Sequence, residues 1–438
     1  VEPTAALDRR IWSLAGPAAL TLLAQPLYLL ADTAIVARVG PGALGSLAVA
    51  ATVLLFATGV LVFLTFGTAA TVARELGAGD LAEADALSVQ SLWLAGMVGF
   101  AVAGLLAVGG GPVVDAVAGD GSVAQGARTY LGIAVLGVPA TCLAMAGTGA
   151  LRGHLDTRTP LAVTIAANTL NVVLDLWLVI GLERGLAGSA TGTVVAQWAA
   201  AGWFTVATLR RSGGADRRLD PLRLRRLAVV GRDLFVRTVA LRAALTLSTV
   251  LAARRGAVAL AAYQVAFQWF TLSAYLLDAL EAAAQSLVGR ALGGGAPAEA
   301  RAVARRVLAW SVAWGVAIGV VTVAARWPIA RFLGDDPAVA AAAASSLLWV
   351  GAIQPVSGPA YALDGVLVGA GDQRYLARAM VVSLAVIAVL GPLTTWAGTG
   401  LWGLWLSIAA FMASRAIVLG LRLRSGRWAL VGSLAPGD

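Results

Sequence analysis

The chain matches itself when slid by 216 residues, without a gap. Ala37-Arg38-Val39-Gly40 meets Ala253-Arg254-Arg255-Gly256, and Val72-Ala73-Arg74-Glu75-Leu76-Gly77 meets Val288-Gly289-Arg290-Ala291-Leu292-Gly293. Gly149-Ala150-Leu151-Arg152-Gly153 meets Gly365-Val366-Leu367-Val368-Gly369, with Asp156 over Asp372 and Arg158 over Arg374. The repeated material is mostly apolar, so the chain reads as a membrane protein of two related halves, a common plan for secondary transporters. The repeat also supplies an internal control. A polar residue found in one half only is not required by the fold both halves share.

Mean hydropathy is +0.83 and only 13% of residues are charged, too few for a soluble chain of this length. Apolar stretches of about 20 residues, enough to cross a bilayer as helix, recur throughout. Twelve are expected, at roughly 11–36, 46–70, 88–110, 126–151, 160–181, 186–209, 233–254, 258–284, 303–325, 338–369, 376–396 and 400–421. The expected fold is all-α and integral to the membrane, with two pseudo-symmetric six-helix bundles. An N-terminal lobe is expected over 1–209, a basic linker over 210–232 and a C-terminal lobe over 233–438.

The net charge of +9 does not point to nucleic acid. Arginines gather before the first span, between even and odd spans, and after the last. The linker is richest, with Arg210, Arg211, Arg217, Arg218, Arg223, Arg225, Arg226 and Arg232. The other side has few, such as Arg128, Arg184, Arg326 and Arg331. This positive-inside bias puts both termini and the linker in the cytoplasm, as expected for a multi-pass plasma-membrane protein. The plain reading of the linker is a solvated topology determinant touching anionic lipid. The first span is too long for a signal-peptide core and lacks a cleavage site, so no cleavable signal is expected.

The chain has no lysine. A Walker A loop and a Schiff-base cofactor both need one. A single cysteine, Cys142, and a single histidine, His154, cannot build a usual metal or nucleophile constellation, and no cofactor is expected. His154 reads as a loop residue. Gly147, Gly149 and Gly153 serve helix packing better than phosphate binding. Trp396, Trp402 and Trp405, near span ends, read as interface anchors.

Ionisable side chains inside membrane helices are expensive and need a reason. In the first span Gln25, Tyr28 and Asp32 fall at i, i+3, i+7, on one face. Asn168, Asn171 and Asp175 repeat that spacing in the fifth span, and Thr193 and Gln197 are one turn apart in the sixth. Asp32, Asp175 and Thr193 come out at similar depth, in the extracytoplasmic half of the bilayer. At the repeat offset Asp32 meets Ser248, Asn171 meets Ile387, Asp175 meets Gly391 and Thr193 meets Ala409. The carboxylates are thus confined to one half. Two carboxylates in a low-dielectric site cannot both be charged cheaply, and oxygen ligands suit a small hard cation. The functional reading is a site for H+ or Na+, with no structural metal. The plainer one is a hydrogen-bonded pair holding three helices together.

A second polar set lies in the C-terminal half. The eighth span carries Gln264, Gln268, Tyr275, Asp278, Glu281 and Gln285, and the tenth carries Gln354, Ser357, Tyr361 and Asp364. Arg237 and Arg242 lie at similar depth in the seventh. These acids read either as ion-pair partners of the arginines or as a second coupling or substrate site. Pro17 and Pro26 lie inside the first span, where each removes a backbone hydrogen bond and favours a kink.

These residues resemble those of the multidrug and toxic compound extrusion (MATE) transporters. The resemblance is carried by Gln25-Pro26-Leu27-Tyr28-Leu29-Leu30-Ala31-Asp32-Thr33, by Gly77-Ala78-Gly79-Asp80, and by Leu151-Arg152-Gly153 with Asp156-Thr157-Arg158-Thr159-Pro160. Asn171-Val172-Val173-Leu174-Asp175 and Gly188-Ser189-Ala190-Thr191 continue it, and Leu277-Asp278 with Leu363-Asp364-Gly365 resembles the DinF-like branch. The resemblance implies two six-helix bundles in a V, alternating access, and multidrug export by antiport against H+ or Na+. It implies a cation site at Asp32, Asn171, Asp175 and Thr193, a site tyrosine at Tyr28, a cavity position for Tyr130 and a bend at Pro17. Gln25, Asn168 and Gln197 are further cavity candidates. Gln285 departs from the pattern where an acid is usual, and Met145 and Thr148 stand where some relatives have asparagine.

The expected partners are small-molecule drugs or metabolites and membrane lipid, with no nucleic acid and a monomeric chain. A lipid-linked saccharide flippase of the same superfamily is the alternative; such proteins line their cavity with cationic residues, whereas this cavity reads as acidic. A membrane-embedded enzyme would need a catalytic motif that the spans lack.

Overall fold

The computed structural model describes residues 3–119, 121–333 and 336–432; the outermost ends of the two expected lobes lie outside them. Helix is the regular structure throughout these residues. The N-terminal half forms α1 (Thr4–Ala37), α2 (Gly42–Ala78), α3 (Leu81–Ala118), α4 (Ser122–Gly153), α5 (Arg158–Gly181) and α6 (Gly185–Arg211). The C-terminal half forms α7 (Pro221–Ala253), α8 (Ala257–Gly293), α9 (Pro297–Ala324), α10 (Pro337–Gly369), α11 (Gln373–Trp396) and α12 (Gly400–Ser425). A short helix, Arg326–Leu333, lies between α9 and α10. Single 3-10 turns interrupt α2 at Val60–Val62 and α4 at Val135–Gly137, and α5 closes with a π turn at Leu176–Gly181.

Eleven of the twelve long helices are apolar enough by composition to cross a bilayer. The exception is α6, which carries Ser189, Thr191, Thr193 and Gln197. Large apolar side chains such as Phe100, Leu105 and Val108 on α3 are 64%, 73% and 84% exposed. Such a surface is stable only against lipid. Turn signals recur at the repeat offset. Gly79 and Gly295 both adopt a positive φ after α2 and α8 (81° and 68°), which suits a residue without a Cβ.

The chain divides into two compact units. One is Leu20–Gly231; the other runs through Ala19 and resumes at Arg232. Both divisions fall inside a helix, in α1 and in α7, at nearly equivalent points of the repeat. Within the C-terminal unit the start of α1 is held on α9. Arg306 donates twice to Asp8 at 2.5 Å, Trp310 Nε1 donates to Asp8 Oδ1 at 2.8 Å, and Trp12 packs on Trp310 and Trp314. Within the N-terminal unit, Arg223 and Arg226 at the start of α7 pair with Glu83 and Glu75. The turn at 212–220 is strapped to α3, where Gln90 donates to Arg218 O at 2.7 Å and accepts from Asp220 N at 3.1 Å. α1 runs unbroken through Pro17 and Pro26, and the division between units follows Pro17 by less than one turn.

Each unit is packed by glycine, and at the same repeat positions. In the C-terminal unit a Cβ on Gly365 would meet the Glu281 backbone of α8, and one on Gly369 the Gln285 backbone. In the N-terminal unit the equivalents, Gly149 and Gly153, lie against Thr65 and Ala69 of α2. Gly315 of α9 lies against Pro355, as Gly99 of α3 lies against Pro139. Helices in lipid gain from such close approach because dispersion, not water exclusion, holds them together. Gly365→Val should therefore lower stability in detergent by about 1–3 kcal/mol, the usual cost of overpacking. Gly420→Ala, with nothing within 4 Å of the new Cβ, should leave the thermal midpoint nearly unchanged. Equal midpoints for both variants would show that the glycine contacts carry no packing energy.

His154 caps the end of α4, with its ring buried 3.8 Å from Asp85. Cys142 is buried where α4 meets Gly99. Trp396 and Trp402 are exposed, but Trp405 is fully buried. Its expected place at an interface is corrected: it sits one turn deeper in α12, among Tyr263, Phe267 and Phe411.

Candidate functional site

Three helices of the N-terminal unit bring their polar stripes together. α1 supplies Gln25, Tyr28 and Asp32; α5 supplies Asn171 and Asp175; α6 supplies Ser189, Thr193 and Gln197. Asp32, Asn171, Asp175 and Ser189 are all at most 3% exposed. Ser189 Oγ donates to Asp32 Oδ1 at 2.9 Å, and the Asp32 and Asp175 carboxyl groups adjoin and interact directly. The Asn171 amide is satisfied on both sides in one orientation: it donates to Asp175 Oδ2 at 2.8 Å and accepts from Thr193 Oγ1 at 3.0 Å. Tyr28 OH lies 3.4 Å from Thr193 Oγ1. Tyr130, from α4, places its hydroxyl beside Thr193 and Ser189.

A cavity of about 260 Å3 opens onto this cluster. Its polar wall is Gln25, Tyr28, Asp32, Tyr130, Thr193 and Gln197, and its apolar wall is the face of α2 with Leu44, Leu47, Ala51, Leu54 and Leu55. Asn171 and Asp175 sit behind that wall. Asn168 stands aside and donates to Ala24 O at 3.2 Å. Among the described residues, no arginine or histidine lies within ion-pair distance of Asp32 or Asp175. Two carboxyls are therefore buried together with only neutral hydroxyl and amide partners.

Glycines make the room. A Cβ at Gly192 would come within 2.5 Å of Asp175 Oδ1, and one at Gly137, in the 3-10 turn of α4, would overlap the Gln197 amide. Sequence reasoning missed Ser189 and Gly192 as site residues. Ser189 was findable, since it continues the Thr193–Gln197 stripe by one more turn. Gly192 was not, because a glycine beside a carboxylate carries no periodic signal.

At the equivalent place in the C-terminal unit larger side chains stand. Ser248, the counterpart of Asp32, bonds Tyr263 OH at 2.6 Å. Tyr263, Phe267 and Phe270 replace Leu47, Ala51 and Leu54, and Trp405 replaces Ser189. Tyr263 stacks on Phe267 at 5.4 Å and packs against Trp405 at 5.6 Å. Aromatic rings pack together in one unit where smaller side chains stand in the other.

The C-terminal acids gather elsewhere. Arg237 donates to Asp364 Oδ2 at 2.6 Å and to Glu281 Oε1 at 3.4 Å. Arg415 pairs with the same Asp364 oxygen and lies 5.2 Å over the Tyr361 ring. Asp278 adjoins Glu281. Arg242 does not join them: it is exposed, and among the described residues it pairs with none of these acids. The second cation is Arg415, from α12, which no spacing within α7, α8 or α10 announces. At the repeat offset Arg237, Asp278, Glu281, Asp364 and Arg415 become Thr21, Val62, Thr65, Thr148 and Ala199, so the shared fold does not require this cluster either.

The family model MatE matches residues 17–177 and 236–393. The chain belongs to the MATE family. It is 29% identical to DNA damage-inducible protein F of Escherichia coli (strain K12) over 437 residues, covering 96% of this chain and 94% of that one. It is 32% identical over 441 residues to Protein DETOXIFICATION 44, chloroplastic, of Arabidopsis thaliana, covering 98% and 84%. A solved MOP superfamily transporter from Pyrococcus furiosus shares the fold with a TM-score of 0.89 at 19% identity, covering 96% and 95%. The chain is thus a MATE-family efflux transporter with a DinF-type protein among its relatives, and a membrane protein of the all-helical fold expected from its repeat.

Proposed function

We propose that this MATE transporter exports amphipathic, cationic small molecules in exchange for H+ or Na+. The observation that carries the reading is the pair of buried carboxyls, Asp32 at the cavity wall and Asp175 behind it, with no basic partner among the described residues. A coupling ion relieves their repulsion, whether a proton shared between them or a sodium ion held with the Asn171 and Thr193 oxygens. The cavity suits the cargo. Asp32 supplies negative charge, Tyr28 and Tyr130 supply ring faces for a cation, and the α2 wall supplies apolar area.

The cycle then follows from charge. With the cavity open to the outside, ion uptake removes net negative charge from α1, α5 and α6. The cationic cargo loses its attraction and leaves, and α1 repacks about Pro17. The arginine distribution supports cytoplasmic termini, so this exit faces away from the cytoplasm. A single chain holds the whole site. An acidic cavity disfavours a pyrophosphate-linked saccharide, which needs cationic groups instead.

Competition is the test. The dissociation constant of a fluorescent lipophilic cation for the purified protein should rise as pH falls, or as sodium is added if sodium couples. Affinity unmoved by either ion would rule out a shared site and leave only remote conformational coupling. Efflux from vesicles, with pH and sodium gradients imposed separately, identifies the ion.

A further inference from the structure

The C-terminal unit carries a second cavity, of about 440 Å3, on its outer face between α9 and α10. Gly319, Val323, Gly351, Ala352 and Pro355 bound it, and Arg326 closes one end. It is shallow because two glycines face each other: a Cβ at Gly319 would come within 2.6 Å of Gly351 O. The backbones touch, and the Val323 side chain lies against Gly351, where a Cβ would come within 2.6 Å of its Cγ2. The neighbouring α9 residues Val316 and Val320 are 46% and 63% exposed, so the furrow opens towards hydrocarbon.

Its closed end is polar. Arg326 Nη1 donates to Val323 O at 3.2 Å, at the end of α9. Among the described residues no carboxylate lies within ion-pair distance of this guanidinium. Arg326 opens the short helix Arg326–Leu333, which buries Ile329 and Ala330 and exposes Trp327 and Phe332. Arg331 lies 5.8 Å over the Trp327 ring. A short helix presenting tryptophan, phenylalanine and arginine outward, with its other face on the bundle, belongs at headgroup depth.

The repeat shows that none of this serves the shared fold. Gly319, Gly351 and Arg326 correspond to Ala103, Val135 and Gly110. In the N-terminal half α3 runs unbroken to Ala118, where the C-terminal half stops α9 at Ala324 and starts the short helix. One half has therefore opened a furrow and set at its end an arginine with no carboxylate in ion-pair distance among the described residues, on the arginine-poor side of the chain.

We propose that this furrow binds one phospholipid. An acyl chain lies along Val316, Val320 and Ala352, and the headgroup phosphate meets the Arg326 guanidinium, whose planar fork matches phosphate oxygens. An anionic headgroup is preferred, because Arg326 brings a positive charge that no carboxylate among the described residues pairs.

Native mass spectrometry of the detergent-purified full chain, titrated with phosphatidylglycerol or phosphatidylcholine, tests this. The wild type should keep one phosphatidylglycerol after looser lipid is stripped, and keep it better than phosphatidylcholine. Arg326→Gln should cut that preference about fivefold, the weight of one arginine at a membrane surface. Ala352→Trp, at an exposed position, should fill the furrow and lose the retained lipid of either kind. Thermal midpoints show whether each variant folds, and Arg326→Gln alone suffices if the tryptophan variant does not. Equal retention of the two lipids by the wild type, or an unchanged preference in folded Arg326→Gln, overturns the proposal.

Discussion

Asp32→Asn should reduce export to the level of cells lacking the protein, while insertion and thermal stability stay near wild type. The asparagine keeps an oxygen to accept from Ser189 Oγ, now at 2.9 Å from Asp32, so the local packing survives. What is lost is a group that can change charge. Asp175 remains at the site, bonded to Asn171, but without a second carboxyl it no longer needs a proton or cation to offset repulsion. Ion-driven uptake of a lipophilic cation into inverted vesicles, which corresponds to export, measures this. The competition between ion and drug should vanish together with export. Near-normal uptake at normal expression would remove Asp32 from the coupling site and return the cluster to a helix-binding role.

The C-terminal cluster should behave in the opposite way. Asp364 is 0% exposed and is held by both Arg237 and Arg415. Asp364→Asn leaves two buried guanidinium groups without their shared partner, and breaking a buried pair costs about 3–5 kcal/mol. The thermal midpoint should fall sharply. Arg237 keeps Glu281, so pairing Asp364→Asn with Arg415→Met removes the charge left without a carboxylate and should restore part of the loss. Arg242→Gln, at an exposed position outside the cluster, should have little effect on stability. Full stability of Asp364→Asn with transport abolished would instead assign the cluster to the transport cycle.

The contrast between the units explains why these two sets of acids have different expected behaviour. In the N-terminal unit the acids meet hydroxyls and an amide. In the C-terminal unit they meet two arginines. Composition alone places carboxylates in both halves and ranks neither. The difference lies in what faces them, and in the C-terminal unit that depends on Arg415, reaching Asp364 from 51 residues away.

Much of the N-terminal site was legible because a helix repeats every 3.6 residues. Gln25, Tyr28 and Asp32, or Asn171 and Asp175, declare a common face by spacing alone. The cost of burying such groups in lipid then marks them as meaningful. The repeat added the control that set Asp32 against Ser248. Periodicity within one helix is silent about which other helix it faces. That silence led to Arg242 in place of Arg415, and it hid the role of Gly192 beside Asp175.

The sequence by itself determined the twelve helices, the two related halves and the family. Each rests on local hydropathy and on a one-dimensional match that needs no knowledge of contacts. The tertiary structure alone decided which acids are paired, that Trp405 is buried among Tyr263, Phe267 and Phe411, and where the chain divides. The start of α1 belongs with the C-terminal unit because Asp8 is held by Arg306 and Trp310. These are contacts between residues far apart in sequence, set by packing between helices, and no pattern within a single helix encodes them.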